Sequence, residues 1–131
     1  MRSSALALAV CAALAPGTAA AQDAAAGERV FNQCRACHQV GEKARNGVGP
    51  VLNGLFGRTA GTVAGYTYSG ANKASGIVWS EATFRPYIRD PKGTIPGTKM
   101  VFPGIKDEQR ITDLIAYLQA FDAAGAKKPA P

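Results

Sequence analysis

The sequence is poor in the residues that build most metal and redox sites. Its 131 residues include one histidine, three cysteines, two methionines and one tryptophan. A single histidine cannot supply a His-rich zinc site or a di-iron bundle. Three cysteines cannot hold a Cys-ligated iron–sulfur cluster, which takes four protein ligands. Acidic residues are scarce as well: nine Asp and Glu face fifteen Lys and Arg, for a net charge of +6. Aromatic residues make up 8% of the chain. No basic stripe is interleaved with them, which excludes the usual nucleic-acid surface. No apolar run reaches the roughly 20 residues needed to cross a bilayer. There is no internal repeat, no strand-rich stretch and room for only one domain.

The N-terminus reads as an export signal. Met1-Arg2 is followed by a small apolar run from Ala5 to Pro16 and by the small residues Thr18-Ala19-Ala20-Ala21. Ala19 and Ala21 satisfy an A-x-A cleavage rule, so residues 1–21 are expected to be a cleaved signal peptide and Gln22 the mature N-terminus. Cleavage would remove Arg2 and Cys11, leaving fourteen basic against nine acidic residues, a charge of +5, with two cysteines and one histidine. Export implies an oxidising compartment, and the periplasm is the expected location.

Residues 22–131 read as one all-α domain of helices joined by Gly/Pro loops. Asp23 is an N-cap candidate, and Gly27, Val30, Phe31, Cys34 and Cys37 recur at three- and four-residue steps on one helical face. Residues 41–62, with six glycines and Pro50, form an ordered loop. Short helices are expected from Ser69 to Ala74 and from an N-cap at Ser80 to a stop before Pro91. Pro86 falls inside the second of these and should kink or shift it. Asp107 caps the clearest helix, whose stripe is Ile111, Leu114, Ile115, Leu118 and Phe121, with Gly125 beyond its end. The tail from about residue 123 is expected to fray. Loops this long, with so few core side chains, call for something large and apolar at the centre.

Cys34-Arg35-Ala36-Cys37-His38 supplies the chemistry. C-x-x-C-H is the attachment signature of c-type haem. The i, i+3 spacing puts both sulfurs on one side of a helical turn, within reach of the two vinyl groups of one porphyrin, and the adjacent histidine can offer a nitrogen to the iron. A thioredoxin-like dithiol would want a βαβ context that is not visible. Half a zinc site would need two further ligands from a chain that has no other mature cysteine or histidine. A plain disulfide at this spacing seldom forms the centre of a fold. Met100 is the one methionine of the mature chain and sits between Pro96 and Pro103. A thioether there reads better as a sixth iron ligand than as core filler, and His/Met ligation suits electron transfer. Should Met100 not ligate, a peroxidase-like or ligand-binding haem protein is the alternative.

From Gly27 to Phe121 the sequence resembles the class I c-type cytochromes, close to the mitochondrial type and the short bacterial cytochrome c-two type. The resemblance rests on Cys34–His38, Gly49-Pro50, Leu55-Phe56-Gly57-Arg58, Gly65-Tyr66-Thr67-Tyr68, Ala71-Asn72-Lys73, Trp79, Ile95-Pro96-Gly97-Thr98-Lys99-Met100 and Asp113-Leu114-Ile115-Ala116-Tyr117-Leu118, in that order. It implies three to five helices around one covalent haem c, with the terminal helices crossing where Gly27 and Phe31 meet Leu114 and Tyr117. It implies thioethers at Cys34 and Cys37 and axial iron ligands at His38 and Met100. The Pro50 carbonyl would orient His38, and Arg58, Tyr68, Asn72 and Trp79 would surround the haem propionates. Tyr87 and Thr98 would hydrogen-bond near Met100, and Phe102 would shield the haem. Read from the residues alone, Trp79, Tyr68 and Phe102 are core filling.

The resemblance further implies an electron carrier rather than an enzyme, moving one electron from a cytochrome bc-type complex to a terminal oxidase or photosynthetic reaction centre. Arg35, Lys43, Arg45, Lys92, Lys99 and Lys106 would ring the exposed haem edge and steer docking to acidic faces of those partners. Gln33 and Gly93 stand where the mitochondrial proteins often carry lysines, which weakens the ring. A monomer without stable membrane insertion is the expected state.

Overall fold

The computed structural model describes residues 21–129, so residues 1–20 of the expected signal peptide lie outside the described part. Five α-helices and one 3₁₀ turn occur among the described residues, with two isolated β-bridges and no strand. α1 is Ala24–Phe31, α2 Gly70–Ala74, α3 Glu81–Arg89, α4 Pro91–Thr94 and α5 Glu108–Gln119. The N-cap side chains expected from the sequence, Asp23, Ser80 and Asp107, are in place, and Ser69 caps α2 in the same way: each accepts a backbone N–H of the first turn that has no partner within the helix. Ser80 and Thr83 form a reciprocal capping box.

α1 packs on α5 to make the solid end of the molecule. Phe31, Ile111, Leu114, Ile115 and Leu118 are almost fully buried there. The Phe31 and Tyr117 rings stand 5.3 Å apart, and Tyr117 stacks edge-on to Phe121 at 5.2 Å. Close approach requires Gly27. A Cβ at that position would collide with the Asp113 carbonyl and lie 2.8 Å from the Tyr117 Cβ. Asp113, itself buried, accepts from the Asp23 N–H and from Gln109.

The structure differs from the sequence reading at three places. α1 does not run on to Cys37. It ends at Phe31, tightens into a 3₁₀ turn over Asn32–Cys34, and closes with Cys37 N–H and His38 N–H both on the Cys34 carbonyl. Pro86, expected to kink or shift α3, is carried within the helix, which runs through Arg89. The proline lies on the exposed side, where the carbonyl it leaves without a donor can turn to water. An Arg85 fork to Glu81, Glu108 and Thr112 ties α3 to α5. Thirdly, the segment expected to fray from about residue 123 folds back. Phe121 pairs with Lys127, and Lys128 N–H donates to the Ala120 carbonyl at 2.7 Å. Gly125, at φ +82°, belongs to this turn and not to the end of α5, whose C-cap is Ala120.

Candidate functional site

A cavity of about 250 Å³ lies between the α1–α5 end, α3 and the loops. Its walls are largely apolar, with Leu52 and Leu55 from the long loop, Phe84 and Ile88 from α3, and Leu114 and Leu118 from α5. All twelve site residues expected from the sequence line it: Cys34, Cys37, His38, Pro50, Arg58, Tyr68, Asn72, Trp79, Tyr87, Thr98, Met100 and Phe102. The chain therefore brings together groups drawn from positions 34 to 102 around one space.

The 3₁₀ turn after α1 delivers the cysteines. Cys34 is half-buried, Cys37 is exposed, and neither forms a disulfide. Burial, with a smaller push from Cys37, raises the Cys34 thiol to about 11. His38 Nδ1 stands 2.7 Å from the Pro50 carbonyl oxygen. A carbonyl only accepts, so Nδ1 carries the proton and Nε2 is left with its lone pair free for a metal. Burial, and to a lesser extent the charge of Arg58, lowers the His38 pKa against the Pro50 hydrogen bond, which favours the neutral ligand form. Gly49 lies flat on the ring: a Cβ there would be 2.7 Å from Nδ1 and 2.8 Å from Nε2. The Gly49-Pro50 pair is thus a clamp of backbone on imidazole.

Met100 comes from the loop after α4, half-buried. The Tyr87 hydroxyl donates to its Sδ at 2.9 Å, and its backbone N–H donates to Thr98 Oγ1 at 3.3 Å. Tyr87 is aimed inward from α3 despite its neighbour Pro86, and burial pushes its phenol up to about 12. Trp79 packs on Tyr87 at 4.8 Å. Arg58 donates to the Asn53 and Val51 carbonyls, and the Tyr68 hydroxyl accepts from Val63 N–H. Burial lowers the Arg58 pKa, partly offset by Tyr68. Asn72 Oδ1 is buried with no partner.

These observations test the fit of a haem. An orphaned buried amide oxygen costs about 1–3 kcal/mol, so Asn72 calls for a polar group from outside the chain. Arg58 offers a half-buried cation and has no carboxylate partner. Two free thiols, an imidazole with a bare nitrogen and a thioether converge on an apolar space. The donor set is one nitrogen and one sulfur for iron, two thiols for attachment, and a polar end for carboxylates. The residues fit.

Known proteins agree. A cytochrome c family profile matches residues 24–122. The chain belongs to the cytochrome c family. Cytochrome c2 of Blastochloris viridis is 63% identical over 119 residues, 91% of this chain and 92% of that one. Cytochrome c-550 of Nitrobacter winogradskyi is 57% identical over 106 residues, 81% and 97% respectively. The structure of cytochrome cH from Methylobacterium extorquens superposes with a TM-score of 0.70 at 50% identity, covering 74% of this chain and 97% of that one. Membership means one covalently bound haem c and a role as electron carrier rather than enzyme.

The apolar walls from α3 were not singled out from the sequence, although Phe84, Tyr87 and Ile88 sit at the i, i+3, i+4 spacing that marks one helical face. The six cations expected at the edge are all exposed. Lys99 lines the cavity, with its ammonium over the Tyr66 ring and on the Thr67 carbonyl. Arg35 and Lys43 border a shallow cleft that shares His38. Arg35 is engaged with Glu28, and Lys106 with the Arg89 carbonyl. Val48 and Val101, 74% and 90% exposed, also line the main cavity. No helix among the described residues is long and apolar enough to cross a membrane.

Proposed function

We propose that this chain is an exported periplasmic electron shuttle, accepting one electron at a time from a cytochrome bc-type complex and passing it to a terminal oxidase or photosynthetic reaction centre. The convergence of His38 and Met100 on one cavity carries the reading. Haem c supplies one-electron exchange at its iron. The chain's residues decide where it is held and at what potential. Cys34 and Cys37 hold it by thioethers. His38, oriented by the Pro50 carbonyl, and Met100, steadied by Tyr87 and Thr98, would supply the nitrogen and sulfur donors to its iron. With both donors engaged, the site would offer no position to a small substrate, which suits transfer and not turnover.

Arg58, Tyr68, Asn72 and Trp79 receive the polar end. A charged carboxylate left unpaired in such a site would be costly, and Arg58 is the cation available to it. Phe102 and the other cavity walls exclude water. Val48 and Val101 mark the exposed rim, and Lys99 with Arg35 and Lys43 supports docking to acidic faces of the redox partners. Residues 1–21 serve as the cleaved export signal.

The test is an oxidised and reduced optical spectrum of protein matured in a host that attaches c-type haem. A covalent low-spin haem with the weak ferric sulfur-to-iron band is expected. A high-spin spectrum would remove Met100 from the iron. No haem, despite working maturation, would overturn the reading.

A further inference from the structure

Arg58 is held by a construction that begins outside the cavity. Its Nη1 donates to the Asn53 carbonyl at 2.9 Å and its Nη2 to the Val51 carbonyl at 3.3 Å. Both acceptors belong to one short stretch of loop, and the Asn53 side chain sets where that stretch lies. The amide oxygen of Asn53 accepts the Gly41 N–H at 2.9 Å, and its amide nitrogen donates to the Gly41 carbonyl at 2.9 Å. One side chain thus satisfies both backbone groups of a residue twelve positions away.

The C-terminal turn covers this pair. Gly125 is buried, and a Cβ there would collide with the Gly41 carbonyl and stand 2.6 Å from Asn53 Nδ2. Gly54, at φ +59°, lies under Ala123, and its N–H donates to the Phe121 carbonyl at 3.3 Å. Asp122 closes the turn. Its N–H donates to the Ala126 carbonyl at 3.1 Å, its carboxylate accepts the Ala126 N–H at 2.9 Å, and its carbonyl accepts the Gly125 N–H at 3.0 Å. Contacts therefore run without a gap from the tail, through Gly41, Asn53 and Gly54, to Arg58 and the cavity. No residue of the turn itself lines that cavity.

We propose that residues 121–128 form a latch that positions Arg58 for the haem, with Asn53 and Gly125 as its positioning residues. The inference rests on the cavity being the haem site with Arg58 at its polar end. The guanidinium charge is permanent, so what can vary is its place. Held on two carbonyls in a half-buried position, it is weakly screened and favours the reduced iron, which carries one positive charge fewer. Released to solvent, the same charge is screened and the preference weakens. Loosening the latch lowers the potential through Arg58.

The experiment is a redox titration of the haem-loaded full chain and its variants, with the sulfur-to-iron band recorded for each. The variants are Asn53→Ala, Gly125→Ala and a deletion of residues 123–131. A Lys127→Gln/Lys128→Gln control removes the same two cations and keeps the turn, because Lys128 contributes its backbone N–H. We expect Asn53→Ala and the deletion to shift the equilibrium towards the oxidised form about threefold to tenfold, tenfold being about 59 mV for one electron. The control should move far less. In an Arg58→Gln background the shifts should vanish. If the deletion does not accumulate, Asn53→Ala and Gly125→Ala decide. The latch is overturned if Arg58→Gln moves the potential but the latch variants do not, or if their shifts persist undiminished without Arg58. A parent without the sulfur-to-iron band would instead overturn the underlying haem-site reading, and the latch with it.

Discussion

Tyr87→Phe isolates one hydrogen bond on the sulfur proposed as an iron ligand. The hydroxyl donates to Met100 Sδ at 2.9 Å from a side chain only 7% exposed. Phenylalanine keeps the ring, its contact with Trp79 and nearly all of its volume, so the packing term is small. The hydrogen bond draws electron density from the sulfur and makes it a poorer donor. Ferric iron needs that density more than ferrous iron, so the bond favours reduction. A neutral hydrogen bond contributes about 1 kcal/mol net, and sulfur is a weak acceptor. If most of that differs between the two oxidation states, the potential of the variant falls by about 20–40 mV, since a tenfold change is about 59 mV for one electron. Spectroelectrochemical titration at pH 7 measures it, with the sulfur-to-iron band confirming that Met100 stays bound. Burial pushes the phenol up to about 12, so the hydroxyl should remain a donor and the gap between parent and variant should stay constant from pH 6 to 10. The sign of the stability effect follows too. The folded pKa lies above the ordinary 10, so stability is full below pH 10 and declines as pH rises towards 12, and the variant should lack that part of the decline. A potential within a few millivolts of the parent, or a rise, would refute the argument.

Gly27→Ala forces a Cβ into the Asp113 carbonyl and should destabilise by about 2 kcal/mol or more, lowering Tm by about 10 °C in calorimetry; a shift under 2 °C would show that α1 and α5 separate freely. Met100→Ala should abolish the sulfur-to-iron band, lower the potential and admit small ligands such as azide, all read optically. Cys34→Ala/Cys37→Ala should leave little folded protein by circular dichroism and proteolysis, because the cavity would lose its tethered filling. Electron transfer to an acidic partner should slow several-fold as salt rises from about 10 to 200 mM in stopped-flow, while a flat profile would remove the basic face from docking.

What could be read from the sequence was local or ordered along it. The caps at Asp23, Ser80 and Asp107 depend on residues three positions away, and the stripe Ile111 to Leu118 repeats because one face of α5 is buried. The His38–Pro50 and Tyr87–Met100 contacts join distant positions and were reached through family motifs, since no periodicity marks them. The tail was missed for a physical reason. Its alanines, lysines and prolines carry no apolar pattern, and its order comes from Gly125 fitting against Gly41 and Asn53, 84 and 72 positions away in sequence. Pro86 is accommodated inside α3 because it lies on the side that meets water, which the local sequence does not mark.

The distribution of buried side chains ties fold to function. The dense packing is at the α1–α5 end, where helix meets helix directly. Elsewhere the loops turn Leu52, Leu55 and Met100, and α3 turns Phe84, towards a space the chain does not fill. Their backbones are pinned to one another by polar side chains: Asn53 to Gly41, Asn46 to Val51 and Ala64, Tyr66 to Val48, Arg58 to Val51. The buried cluster reaches into this shell through Leu55, Trp79, Phe84, Ile88 and Ile95, yet it leaves the cavity unfilled. Filling the cavity would add to the shell's stability, and its hydrogen bonds hold His38, Arg58 and Met100 in place. Little of the surroundings then needs to move when the charge on the iron changes. The glycine-rich loops that make the chain a poor builder of its own core are therefore the same feature that makes it a rigid holder for a redox group.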